Sequence, residues 1–143
     1  MTSVKTFILS LLIAPMLAGA ACPDLAGRYA CKVSGFTKNV TISQVVRGGV
    51  TIYQVDNGGE IFADGIRHQT PTLHPILDRY ARNYSYVANC SSSRLSFTGI
   101  ADLVRGGQGN VDGTLVKSGD DVTINMHMVT PDKEMNLDLD CSK

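Results

Sequence analysis

Residues 121–141 read DVTINMHMVTPDKEMNLDLDC. Two runs of alternation flank Thr130-Pro131-Asp132. In the first, Val122, Ile124, Met126 and Met128 share a face. In the second, Met135, Leu137, Leu139 and Cys141 oppose Glu134, Asn136, Asp138 and Asp140. A strand sends successive side chains to opposite faces, so each run has one apolar and one polar face. A connection this short makes the two strands antiparallel neighbours, each buried on one side only.

The same pattern extends back along the chain. Residues 27–33, 39–46, 50–56 and 60–68 read as strands, and after them 83–90, 94–104 and 109–117. Arg47-Gly48-Gly49, Asn57-Gly58-Gly59, Arg105-Gly106-Gly107 and Ser118-Gly119-Asp120 supply the turns. The two Arg-Gly-Gly copies are hairpin tips, not RNA-binding tracts. About nine strands result, or ten if Asp64-Gly65 is a hairpin tip and not a bulge. The expected fold is all-β: an antiparallel up-and-down meander of 8–10 strands that closes into a barrel and so removes its edges. A two-sheet sandwich is the alternative.

Residues 69–82 (QTPTLHPILDRYAR) break the rhythm with two prolines. A short helix from Pro75 would place Ile76, Leu77 and Tyr80 on one face. The segment reads as a crossover capping one barrel end, or as a lid over a ligand cavity.

Residues 1–20 have the features of an export signal: Lys5, the apolar run TFILSLLIAPML, then the small residues Ala18-Gly19-Ala20. Residues 21–143 are then a single domain, exported to the periplasm or secreted, where cysteines can be oxidised. The chain has 13 Lys and Arg, of which Lys5 lies in the leader, against 13 Asp and Glu, leaving a mature charge of about −1. That balance argues against nucleic acid as a partner. No second apolar run approaches the roughly 20 residues of a membrane span. A monomer is expected.

Cys22, Cys31, Cys90 and Cys141 are read as two structural disulfides. Their spacings of 9, 59 and 51 match no zinc signature, and no Cys-x-x-Cys occurs. A barrel returning its last strand beside its first favours Cys22–Cys141 with Cys31–Cys90. The competing pairing is Cys22–Cys31 with Cys90–Cys141. Lipidation of Cys22 is a further alternative, disfavoured by Gly19 at the −3 position and by the odd cysteine it would leave.

No catalytic, cofactor or metal site is expected. The Gly-x-Ser-x-Gly elbow and the phosphate loop are absent. His68 and His74 with Asp64 or Asp78 would form a metal site only by a rare convergence, and His127 falls on a polar strand face. Asp138 and Asp140 read as a solvated outer row. Tyr29, Tyr84 and Tyr86 face inward with aliphatics, and each hydroxyl needs a partner. They are the candidate ligand-binding residues.

Cys22-Pro23-Asp24-Leu25-Ala26-Gly27-Arg28-Tyr29-Ala30-Cys31 resembles the opening of small secreted bacterial proteins with a Cys-Pro-x-Leu-x-Gly-x-Tyr-x-Cys start. Gly27-Arg28-Tyr29 is similar to the Gly-x-Trp of lipocalins, with Tyr in place of Trp. The resemblance implies a lipocalin-like, calycin-type barrel and small hydrophobic ligands. Tyr29-Ala30-Cys31 and Cys141 also resemble periplasmic lysozyme inhibitors, although their Ser-Gly-x-Lys/Arg-Tyr loop is not present and Asp78-Arg79-Tyr80 is a poor substitute for it. The expected function is a non-enzymatic binding protein holding a small hydrophobic ligand in the barrel. The alternatives are a protein-binding inhibitor, with an envelope protein as partner, or a structural envelope role.

Overall fold

A computed structural model describes residues 22–143, and the export signal expected over residues 1–20 lies outside the described residues. Ten strands form: β1 (Gly27–Val33), β2 (Phe36–Arg47), β3 (Val50–Val55), β4 (Ile61–Phe62), β5 (Arg67–Thr70), β6 (Ala81–Cys90), β7 (Arg94–Leu103), β8 (Gln108–Ser118), β9 (Asp121–Val129) and β10 (Glu134–Ser142). They make one antiparallel sheet in the order β4-β3-β2-β1-β10-β9-β8-β7-β6-β5, curled into a nearly closed barrel. The all-β meander expected from the alternation is the fold observed.

The alternation predicts the faces well. Val122, Ile124, Met126 and Met128 of β9 are buried, as are Leu95, Phe97 and Ala101 of β7, and they join one apolar cluster filling the barrel. Gly113 on β8 makes room for a large neighbour, because a Cβ there would fall 2.5 Å from the Phe97 ring.

β4 and β5 replace the single strand expected over 60–68, and they do not pair with each other. Asp64-Gly65 is therefore neither hairpin tip nor bulge. It carries the chain across the barrel seam, with φ of 71° at Gly65 and the Gly65 N–H on the Ala88 carbonyl at 2.9 Å. Side chains complete the seam. The Tyr86 hydroxyl donates to Glu60 O (2.9 Å) and accepts from the Phe62 N–H (3.0 Å). His68 stacks on Phe62 with 4.6 Å between ring centroids.

Both mouths are covered. Beneath the start of β1, residues 22–26 tuck Leu25 into the core, with the Leu25 N–H on Gln44 Oε1 at 2.9 Å. Tyr53 donates to Pro23 O (2.6 Å), and Tyr29 to Leu25 O (2.8 Å). At the opposite end, residues 71–80 form the cap. The helix expected from Pro75 is a single 3-10 turn, Leu77–Arg79. Of the three apolar residues expected on one face, only Leu77 is buried, Ile76 is half-buried, and Tyr80 is 45% exposed.

The disulfides are Cys31–Cys141 and Cys22–Cys90, which is neither of the pairings weighed from sequence. β10 does return beside β1, but the register places Cys141 directly opposite Cys31, within a ladder of only three residue pairs. Cys22 then meets Cys90 at the end of β6 and bolts the 22–26 plug across the mouth. With its thiol in that bridge, Cys22 is not available for lipidation. Two disulfides fit an oxidising compartment.

Cys31–Cys141 spans 110 residues, so it restrains most of the unfolded chain. The double variant Cys31→Ala/Cys141→Ala is expected to lose roughly 2–5 kcal/mol in urea unfolding, compared with the oxidised parent.

Candidate functional site

The cap rests on the β3–β4 connection because Gly58 and Gly59 let another backbone lie directly on theirs. The Gly59 N–H donates to Leu73 O at 3.1 Å. A Cβ at Gly58 would fall 2.0 Å from Leu73 O, and one at Gly59 2.0 Å from Thr72 O. No side chain fits between. The far end of the cap is held by the Val104 N–H on Tyr80 O at 2.9 Å.

Two polar latches fix the cap between those points. His74 is 2% exposed. Its Nδ1 accepts the Ile76 N–H (3.2 Å), so Nε2 carries the proton and faces Asp56 Oδ2 at 3.2 Å. The other Asp56 oxygen accepts the Thr41 N–H at 2.9 Å. Burial pushes the His74 pKa below the usual histidine value, outweighing the opposite pull of Asp56. In the second latch, Asp78 Oδ1 accepts the Leu73 N–H (3.0 Å) and the Tyr84 hydroxyl (3.0 Å). Among the described residues, no buried side-chain polar atom lacks a partner.

Under the cap lies an apolar cleft of about 350 Å³. Its roof is Ile76, Leu77 and Tyr80, its floor Met126 and Met128 of β9, and its wall Met135 and Leu137 of β10. The register sets Met135 opposite Met128 and Leu137 opposite Met126, so all four lie on the inner face. Met135 and Leu137 stay accessible because β1 ends at Val33, just past the last ladder pair, Lys32 with Asp140, whereas Met126 and Met128 are buried. The first half of β10 therefore extends beyond β1, and Met135 and Leu137 are only half-buried. Met126, Met128 and Met135 are the only methionines of residues 22–143, and all three line this cleft. Methionine is unbranched and polarizable, so such walls adapt to varied apolar shapes.

A second hollow of about 330 Å³ adjoins the cleft and shares Tyr80 and Met135 with it. A larger one of about 580 Å³ lies over the β6 bulge at Asn83 and is lined largely by polar groups such as Gln69, Asp102 and Gln108.

The three tyrosines singled out from sequence are all buried, and the chain itself engages their hydroxyls. Tyr29 and Tyr86 bond backbone carbonyls, and Tyr84 lies 3.0 Å from both Asp78 Oδ1 and Ala81 O. Burial, chiefly, raises the pKa of all three. None of them lines the apolar cleft, whose tyrosine is Tyr80.

Of the histidines, His68 sits with both Asp64 oxygens (3.0 and 2.9 Å), whereas His74 pairs with Asp56 instead. No cluster of three or more metal-ligating side chains occurs among the described residues. His127 lies on the outer face between Asp112 (3.0 Å) and Glu134 (2.6 Å), whose hydrogen bonds raise its pKa.

Compared with protein-family models, with curated proteins and with solved structures, the chain matches none.

The two perturbed histidines bias stability in opposite directions. The folded His74 resists a proton that the unfolded chain accepts. Its contribution is intact above the unfolded value of 6.5 and is lost as pH falls from there through the lower folded value. His127 is favourable below 6.5, and its contribution is lost as pH rises through the raised folded value. Urea unfolding across pH 5–8 is expected to show a smaller acid-side decline in His74→Gln than in the parent. The alkaline-side decline is expected to shrink in His127→Gln.

Gly58→Ala is expected to dislodge the cap from the β3–β4 connection. The expected cost is about 1–3 kcal/mol in urea unfolding, with faster hydrogen exchange at the Gly59 and Leu73 amides.

Proposed function

We propose that this is an exported, non-enzymatic, lipocalin-like binding protein, acting as a monomer in the periplasm or outside the cell. Its ligand is a small hydrophobic molecule. The observation that carries this reading is the gathering of all three methionines of residues 22–143 in one apolar cleft beneath a cap. The ligand site is then the barrel mouth. The barrel's depth is occupied by the packed cluster that includes Tyr53, Tyr84 and Tyr86. A volume of about 350 Å³ is at the small end of ligand pockets, which suits one short chain or ring system. The latches support the reading as well, since a cleft already formed adds little ordering cost to binding.

Native monomer is expected to take up the neutral fluorophore N-phenyl-1-naphthylamine with enhanced, blue-shifted emission. Met135→Asp, which puts a carboxylate on the half-buried wall, should weaken uptake about tenfold or more. Val46→Asp, on an exposed site at the far end of β2, should leave it unchanged. Absence of uptake by the folded monomer, or equal uptake by Met135→Asp, rejects the reading.

A further inference from the structure

The hollow beside the methionine cleft differs from it in charge. Arg79 of the cap, Arg105 of the β7–β8 turn and Lys133 of the β9–β10 turn line it, with Asp132 as the only acid. None of the three cations makes an ion pair among the described residues. Lys133 Nζ lies 5.5 Å from the Tyr80 ring centroid, which keeps the ammonium at the boundary of the two compartments. The chain as a whole has no net charge, so three cations around one hollow are a local excess.

We infer that the occupant is a single-chain anionic amphiphile. Its alkyl chain lies among Met126, Met128 and Met135, and its head lies among Arg79, Arg105 and Lys133. This rests on the cleft being a ligand site, and it names the ligand's class. Tyr80 and Met135 line both hollows, so the two are neighbours, and a chain that passes these two side chains would occupy both. An anionic membrane surface would suit the cations equally. It does not suit the cleft, whose floor of Met126 and Met128 is 5% and 1% exposed and recessed behind the cap. A flexible chain can enter beside the half-buried Met135 and Leu137 and reach that floor as the methionine side chains shift, whereas a flat bilayer surface cannot.

The test is calorimetric titration at pH 8, below micelle-forming concentrations, with dodecanoate, dodecyl phosphate, dodecanol and dodecylammonium. Dodecanoate or dodecyl phosphate is expected to bind about tenfold more tightly than dodecanol, the combined effect of three exposed charge pairs. Dodecylammonium is expected to bind more weakly than dodecanol. The preference of anion over alcohol should shrink as salt rises from 0.05 to 0.5 M. It should fall towards unity in Arg79→Gln/Arg105→Gln/Lys133→Gln, with folding checked by circular dichroism. The better of the two anions identifies the head group.

If dodecanol binds and neither anion binds better, the assignment of an anionic head is overturned and the cleft remains a ligand site. If the preference survives in the folded triple variant, the head-group residues are overturned. If nothing binds, the ligand site falls and this inference with it. Capture by anionic phosphatidylglycerol vesicles that dodecanoate does not reverse would assign the cations to a membrane and overturn the inference.

Discussion

The barrel depends on a junction of three residue pairs. β1 meets β10 only at Ala30–Ser142, Cys31–Cys141 and Lys32–Asp140, and the disulfide sits on the middle pair. β2, β3 and β4 lie on one side of this junction and β5 to β9 on the other. A ladder this short contributes few hydrogen bonds, yet it must hold the first strand against the last across nearly the whole chain. The covalent bond supplies what the ladder lacks by limiting the unfolded chain. The same shortness leaves the first half of β10 without a neighbour on the β1 side. The cleft therefore follows from the way the barrel closes, because a longer β1 would pair with Met135 and Leu137 and cover them.

The opposite edges of the sheet meet without a regular ladder. β4 has two residues, and Tyr86 reaches from β6 to satisfy Phe62 N–H and Glu60 O. One phenol thus does the work of two ladder hydrogen bonds, which a buried backbone cannot forgo. Tyr53 serves the plug in the same way, through Pro23 O. In a core without tryptophan, the tyrosines supply both bulk and the polar reach needed at seam and mouth.

Face assignment was legible in the sequence because it depends only on period two. That was enough to place Met126, Met128, Met135, Cys31 and Cys141 inward. Pairing between distant strands was not legible, because it depends on register, and alternation is unchanged by a shift of two residues. The disulfides show the consequence. The return of β10 to β1 is expected from sequence, and on that ground Cys22, just ahead of β1, is expected to pair with Cys141. In the fold, Cys22 lies below β1 and reaches β6 instead. The crossing at Asp64-Gly65 was hidden for a similar reason: an Asp-Gly pair turns the chain equally well within a hairpin or between opposite edges of a barrel. The cleft needed two facts at once, the inward methionines and the resting place of residues 76–80. The second is set by Gly58 and Gly59, which in sequence look like any other turn.

Cap and cleft divide rigidity and adaptability between them. The roof is held by two latches, each centred on a carboxylate that also accepts a backbone N–H: Asp56 from Thr41, and Asp78 from Leu73. A neutral His74 is what the first latch needs, since its Nδ1 is already an acceptor for Ile76 and has no room for a second proton. The floor and wall, by contrast, are methionine, whose three rotatable bonds let a contact surface reshape without moving backbone. Had the wall been valine or isoleucine, their restricted χ1 would give a cleft of fixed shape and narrow selectivity. Under the proposed function, a fixed roof over a deformable floor would favour a class of apolar chains over a single ligand, and discrimination would fall to the polar groups at the rim, where Arg79, Arg105 and Lys133 stand.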